Sequence, residues 1–139
     1  MNTNKKTARI LEDVQIKLSA LWAARMLSGL QGDVVRFMGP GKLEEFMEGT
    51  TGMNITNELL LVMSIIFVVP IFMSFLSLTL KDKVNRWANR SIGIFFVGVD
   101  LIFLIYFQPI AYELFWGIVY LVFTALIVWY AWKWPKQEA

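Results

Sequence analysis

VQIKLSALWAARMLSGLQGDVVRF, residues Val14 to Phe37, decides how this chain is organised. It has the length of a membrane-crossing helix, which needs about 20 residues. It also carries Lys17, Arg25, Asp33 and Arg36. By hydropathy alone it suits an amphipathic helix lying in the interface equally well. Three other stretches raise no such question. Residues 58–80 are apolar apart from Glu58 at their start and Ser64, Ser74, Ser77 and Thr79. Residues 91–107 are interrupted by Asp100, and residues 114–134 contain Thr124. Pro70 inside the second stretch frees the carbonyl of Ile66 and predicts a kink there.

The distribution of basic residues settles the first stretch. The basic connection Lys81 to Arg90 and the basic tail with Lys133 and Lys136 are separated by two spans, so both lie on one side. Basic connections favour the cytoplasm. The N-terminal tail with Lys5, Lys6 and Arg9 joins them only if Val14–Phe37 also crosses. Of the 13 Lys and Arg residues, Lys5, Lys6, Arg9, Lys17, Lys81, Lys83, Arg86, Arg90, Lys133 and Lys136 then fall inside, with Arg36 and Lys42 outside. The expected architecture is an all-α bundle of four transmembrane helices at about 14–37, 58–80, 91–107 and 114–134, a single domain with both termini cytoplasmic. The charged residues Glu12 and Asp13 interrupt any signal-peptide core, so residues 1–9 read as a retained tail.

Composition agrees. Hydrophobic residues make up 57% of the 139 and aromatics 15%, above the usual soluble share. A net charge of +2 gives no basis for nucleic-acid binding. The chain has no Cys and no His. That removes disulfides, thiol redox chemistry, His-held haem, zinc hydrolases and His-based triads, and no metal or other cofactor is expected. Aromatics gather at predicted helix ends: Trp87, Trp129, Tyr130, Trp132 and Trp134 inside, Tyr106, Tyr112, Phe115 and Trp116 outside, as interfacial belts do. In the outer loop, Leu43, Phe46 and Met47 alternate with Glu44, Glu45 and Glu48, which predicts a two-turn amphipathic helix ended by Gly49. It reads as a connector or as a lid.

Polar residues in the spans form stripes. At about 100° per residue, Arg25, Gly29, Gly32, Asp33 and Arg36 share a face of the first helix. Ala20, Ala24, Ser28 and Gly32 recur beside it at the spacing of small-residue helix packing. Gly93, Asp100, Leu104 and Phe107 share a face of the third helix; Glu113, Gly117, Tyr120, Thr124 and Ala131 share one of the fourth. These stripes should turn inward, because lipid offers no partner to a polar group. A carboxylate at mid-membrane is costly without a partner. Arg25 and Asp100 each lie roughly 13 Å from the cytoplasmic entry of their helices at about 1.5 Å per residue, so they are expected to pair. Tyr120 and Thr124 complete a candidate intramembrane polar pocket. Asp33, Arg36, Glu58 and Glu113 mark a candidate outer vestibule, with Asp33 and Arg36 one turn apart. Glu58 and Glu113 also suit plain helix N-terminal charges.

Leu11-Glu12-Asp13-Val14 leading into Leu18–Ala23, the run Lys83-Val84-Asn85-Arg86-Trp87-Ala88-Asn89, and the ending Ile127–Pro135 together resemble a family of small bacterial four-helix membrane proteins catalogued only as a domain of unknown function. The resemblance covers nearly the whole chain. It implies the bacterial inner membrane and brings no activity and no catalytic residues.

Two function classes follow, the first the leading reading and the second its alternative. One is binding or transport of a small amphipathic or anionic ligand, a lipid included, in the polar interior, with Pro70 as a hinge. The other is a structural or assembly subunit that forms homo- or hetero-oligomers through the first helix. An enzyme using Asp100, Asp33 or Glu113 as acid or base ranks behind both, because no catalytic spacing is present.

Overall fold

The structure, a computed structural model, describes residues 2–107 and 111–135. The described residues form five helices and no strand: α1 (Asn2–Phe37), α2 (Lys42–Met47), α3 (Asn57–Thr79), α4 (Asp82–Tyr106) and α5 (Ala111–Trp132). By length and composition, α3, α4 and α5 are able to cross a membrane. Lys136, counted above with the inside charges, lies outside the described residues.

Helix bounds differ from the sequence expectation in an instructive way. α1 begins at Asn2 rather than near residue 14. α4 begins at Asp82 rather than near residue 91, so the basic stretch up to Arg90 is its first turns and not a loop. Hydropathy marks where a helix enters lipid, whereas backbone hydrogen bonding has no reason to stop at that boundary. α3 starts after Thr56, whose hydroxyl accepts from the Leu59 N–H at 3.2 Å, a normal N-cap. α2 appears where its pattern predicts. It closes with Gly49 at φ 69°, a left-handed position that glycine occupies without strain. Its Phe46 ring meets Phe37 of α1 edge to face at 5.3 Å between centroids.

α1 lies between α3 and α5, α4 packs on α5, and α3 meets α4 only slightly. The apolar core gathers Leu11, Val14, Leu18 and Trp22 of α1 with Met73, Ala88, Phe96 and Ile127. These α1 positions follow the 3–4 spacing of one helix face. Trp134, expected in the inner aromatic belt, is instead buried in this core, whereas Trp87, Trp129 and Trp132 are exposed. The opposite face of α1 carries Ile16, Ala20, Leu27, Leu30 and Val34, all exposed. An apolar stripe therefore runs along the outside of a helix whose charge at Arg25 is turned in.

α4 and α5 approach closely at Gly93, where a Cβ would stand 2.9 Å from Val128 Cγ2 and 3.4 Å from Ile127 Cγ2. Val128 is β-branched and stiff at χ1, so it yields poorly. Gly93→Ala is expected to cost about 1–3 kcal/mol of strain, more than the roughly 1 kcal/mol gained in helix propensity. Gly98→Ala meets nothing within 4 Å and is expected to be neutral or stabilising. Thermal unfolding of the two variants in detergent checks this; equal midpoints would mean that the helices do not touch at Gly93.

Candidate functional site

Three helices contribute one side chain each to a closed polar centre. Arg25 of α1 donates from Nε to Thr124 Oγ1 of α5 at 2.8 Å and from Nη2 to Asp100 Oδ1 of α4 at 2.6 Å. Thr124 Oγ1 donates to the other carboxylate oxygen, Asp100 Oδ2, at 2.7 Å. Each member thus bonds both others. The guanidinium carbon also lies 4.5 Å from the Phe96 ring centroid and 5.4 Å from that of Tyr120, cation–π distances. Arg25 is 6% exposed, Asp100 9% and Thr124 0%. Tyr120 is half-buried. Its hydroxyl occupies the space a Cβ would take at Gly29 of α1, so a glycine is needed there for the ring to reach Arg25.

The expected pocket residues are therefore brought together, but they fill the centre themselves. Burying two opposite charges recovers little net stability, because desolvation offsets their attraction. What the arrangement does supply is register: α1, α4 and α5 satisfy these groups in one relative position.

The expected vestibule does not assemble as one cluster. Arg36 Nε pairs with Glu113 Oε1 at 3.2 Å, tying the C-terminal end of α1 to the N-terminal end of α5. The anticipated Asp33–Arg36 pairing gives way to this contact across helices, and Asp33 is exposed. Glu58 is exposed in the first turn of α3, beside its Thr56 cap. The small-residue ladder also divides. Ser28 is buried and Gly32 lies against Trp116, where a Cβ would stand 3.3 Å from the Trp116 Cβ. Ala24 is half-buried and Ala20 faces outward. A four-residue repeat drifts around a helix of 3.6 residues per turn, so one ladder cannot keep to one seam. Phe107, the cap residue just past α4, is likewise exposed, although Gly93 and Asp100 on the same expected face are buried.

A second polar cluster lies where the middle of α1 meets the end of α3 and the start of α4. Asn89 Oδ1 accepts from Trp22 Nε1 at 2.7 Å and from Ser77 Oγ at 3.2 Å. Asn89 Nδ2 donates to Asn85 O at 3.0 Å and to Asn85 Oδ1 at 2.7 Å. Asn85 Nδ2 donates to the carbonyls of Ser77 at 2.7 Å and Leu80 at 3.3 Å. Trp22, Ser77, Asn85 and Asn89 are all 0% exposed. Asn89 spends its full capacity of two donors and two acceptor sites.

The sequence model of the Family of unknown function (DUF6326) matches residues 6–139. The chain belongs to that family. No curated protein and no solved structure matches it. The family assignment names no activity, and the matched region contains both polar clusters. Among the described residues, no three His, Cys, Asp or Glu side chains stand together as metal ligands.

The asparagine cluster was missed because Lys83, Arg86 and Arg90 dominate the reading of that stretch as a soluble loop. A signal was present. Asn85 and Asn89 are four residues apart, which places them on one face once the stretch is helical.

Proposed function

We propose that this chain crosses the bacterial inner membrane four times, with both ends in the cytoplasm. We propose further that it serves there as a structural or assembly subunit whose polar centre locks the helices in register. The closure of that centre carries the reading: Arg25 and Asp100 spend their charges on each other and on Thr124 at 6% and 9% exposure. The crossing of α1 draws support from its outward apolar stripe. From Ile16 to Val34 the stripe rises about 27 Å, close to the roughly 30 Å hydrocarbon thickness.

A second reading is a site for a small amphipathic or anionic ligand at Arg25, Asp100, Tyr120 and Thr124. One observation favours it: among the described residues, two of the five guanidinium N–H groups have partners, one on Thr124 and one on Asp100. An anion would have to compete with Asp100 for them.

The absence of Cys makes single-cysteine variants clean reporters. Thr50→Cys is expected to react with a membrane-impermeant maleimide in intact cells, and Thr3→Cys only after permeabilisation. Labelling of both positions in intact cells would overturn the crossing of α1. For assembly, Ala20→Cys on the outward face of α1 is expected to form a disulfide-linked dimer under mild oxidation in membranes. A chain that stays monomeric by mass and uncrosslinked at Ala20 has no assembly through this face.

A further inference from the structure

We propose that the surface shared by the start of α4 and the end of α5 binds the phosphodiester headgroup of an anionic phospholipid. This rests on the reading above that places this end at the cytoplasmic boundary. Lys83, Arg86, Trp87 and Arg90 follow one another at i, i+3, i+4 and i+7, the spacing of a single face of α4. Asn85 and Asn89 occupy the buried face instead. Arg90 donates from Nε to the Ala131 carbonyl at 2.9 Å and from Nη2 to the Trp132 carbonyl at 3.0 Å. It thereby holds this face of α4 beside the last turn of α5.

Those two bonds have an electrostatic consequence. The C-terminal end of a helix carries partial negative charge and repels anions. Arg90 caps that end of α5, so the neighbouring cations are left to act on an anion. Lys133 is one of them; its Nζ stands 4.0 Å from the Trp129 ring centroid. Arg90 Cζ stands 4.9 Å from the ring of Trp132. Trp87, Trp129 and Trp132 are 71%, 55% and 62% exposed, large apolar rings that water would not favour. Two carboxylates of this end have partners on or toward α1: Asp82 accepts from Gln15 at 3.4 Å, and Asp13 pairs with Lys17 at 2.6 Å; Glu12 is exposed on α1.

Exposed indoles interleaved with cations match the chemistry of the headgroup layer, where the rings sit among glycerol and carbonyl groups and Lys and Arg attract phosphate. Each such cation near an anionic surface raises occupancy about fivefold. The surface is thus built for a lipid phosphate that arrives with its own apolar anchor, rather than for a free soluble anion.

The test uses the purified full chain in detergent micelles, read by native mass spectrometry. Phosphatidylglycerol is compared with phosphatidylcholine of the same acyl chains, and inorganic phosphate is added as competitor. The chain is expected to retain phosphatidylglycerol at least about tenfold better. The triple variant Lys83→Gln, Arg86→Gln, Lys133→Gln is expected to lose that preference with its thermal midpoint unchanged. Arg36→Gln with Lys42→Gln, at the other end, is expected to keep it. Equal retention of the two lipids, a preference that survives the triple variant, or displacement by millimolar phosphate would each overturn the proposal. Sidedness plays no part in a micelle, so failure of the four-span reading registers in the maleimide labelling and not here.

Discussion

Asp100→Leu is expected to lower the stability of the folded bundle by about 3–5 kcal/mol, the cost of leaving one member of a buried ion pair alone. Arg25 would keep its bond to Thr124 but lose the carboxylate 2.6 Å away, in a place where water cannot replace it. Arg25→Leu alone is expected to cost a similar amount for the mirror reason. The double variant Arg25→Leu with Asp100→Leu is expected to recover most of the loss, because a buried pair exchanged for apolar groups of similar volume is often neutral. Thermal or denaturant unfolding in detergent of the four proteins gives the cycle directly. Single variants as stable as the parent would show that the pair does not lock the helices. The same cycle separates the two functional readings. A structural lock is restored in the double variant, whereas a ligand site that depends on the guanidinium stays lost.

Asn89→Ala is the second large effect, expected at about 3 kcal/mol or more, since buried polar groups left unpartnered cost about 1–3 kcal/mol each. The truncation strands Trp22 Nε1, Ser77 Oγ and Asn85 Oδ1 together, all within 0%-exposed residues. Trp22→Phe keeps most of the ring and removes only the donor. In combination with Asn89→Ala it is expected to restore about 1 kcal/mol, measured as coupling in the double-mutant cycle. The exposed Asn57→Ala, at the start of α3, serves as the control and is expected to change little. An Asn89→Ala protein that unfolds with the parent would mean that the cluster is satisfied some other way. The two clusters act at different levels of the bundle. The asparagines tie α1 to the α3–α4 connection, and the ion pair ties α1 to α4 and α5. The asparagine tie joins the Ser19 hydroxyl, which donates to the Ser74 carbonyl at 2.5 Å, in fastening α3 to its neighbours.

Much of this was legible in one dimension. Long apolar runs mark the three hydropathic helices, and a similar count of residues along α1 and α4 brings Arg25 and Asp100 to one level. The i, i+3, i+4 pattern of Leu43, Phe46 and Met47 marks α2. Depth and face both follow from counting residues along a helix of fixed rise and twist.

What counting cannot supply is which helix stands next to which, and only the tertiary structure decides that. Arg36 has Asp33 one turn away on its own helix, yet it pairs with Glu113 because α5 is the neighbour of α1. Ala20 and Gly32 belong to one repeat, yet one faces outward and the other meets Trp116. Trp134 reads as a belt residue and is drawn into the core. The sequence by itself determined which residues share a level and a face, since those are properties of a single helix. The tertiary structure decided the partners, since a hydrogen bond forms only with what the neighbouring helix brings within about 3 Å.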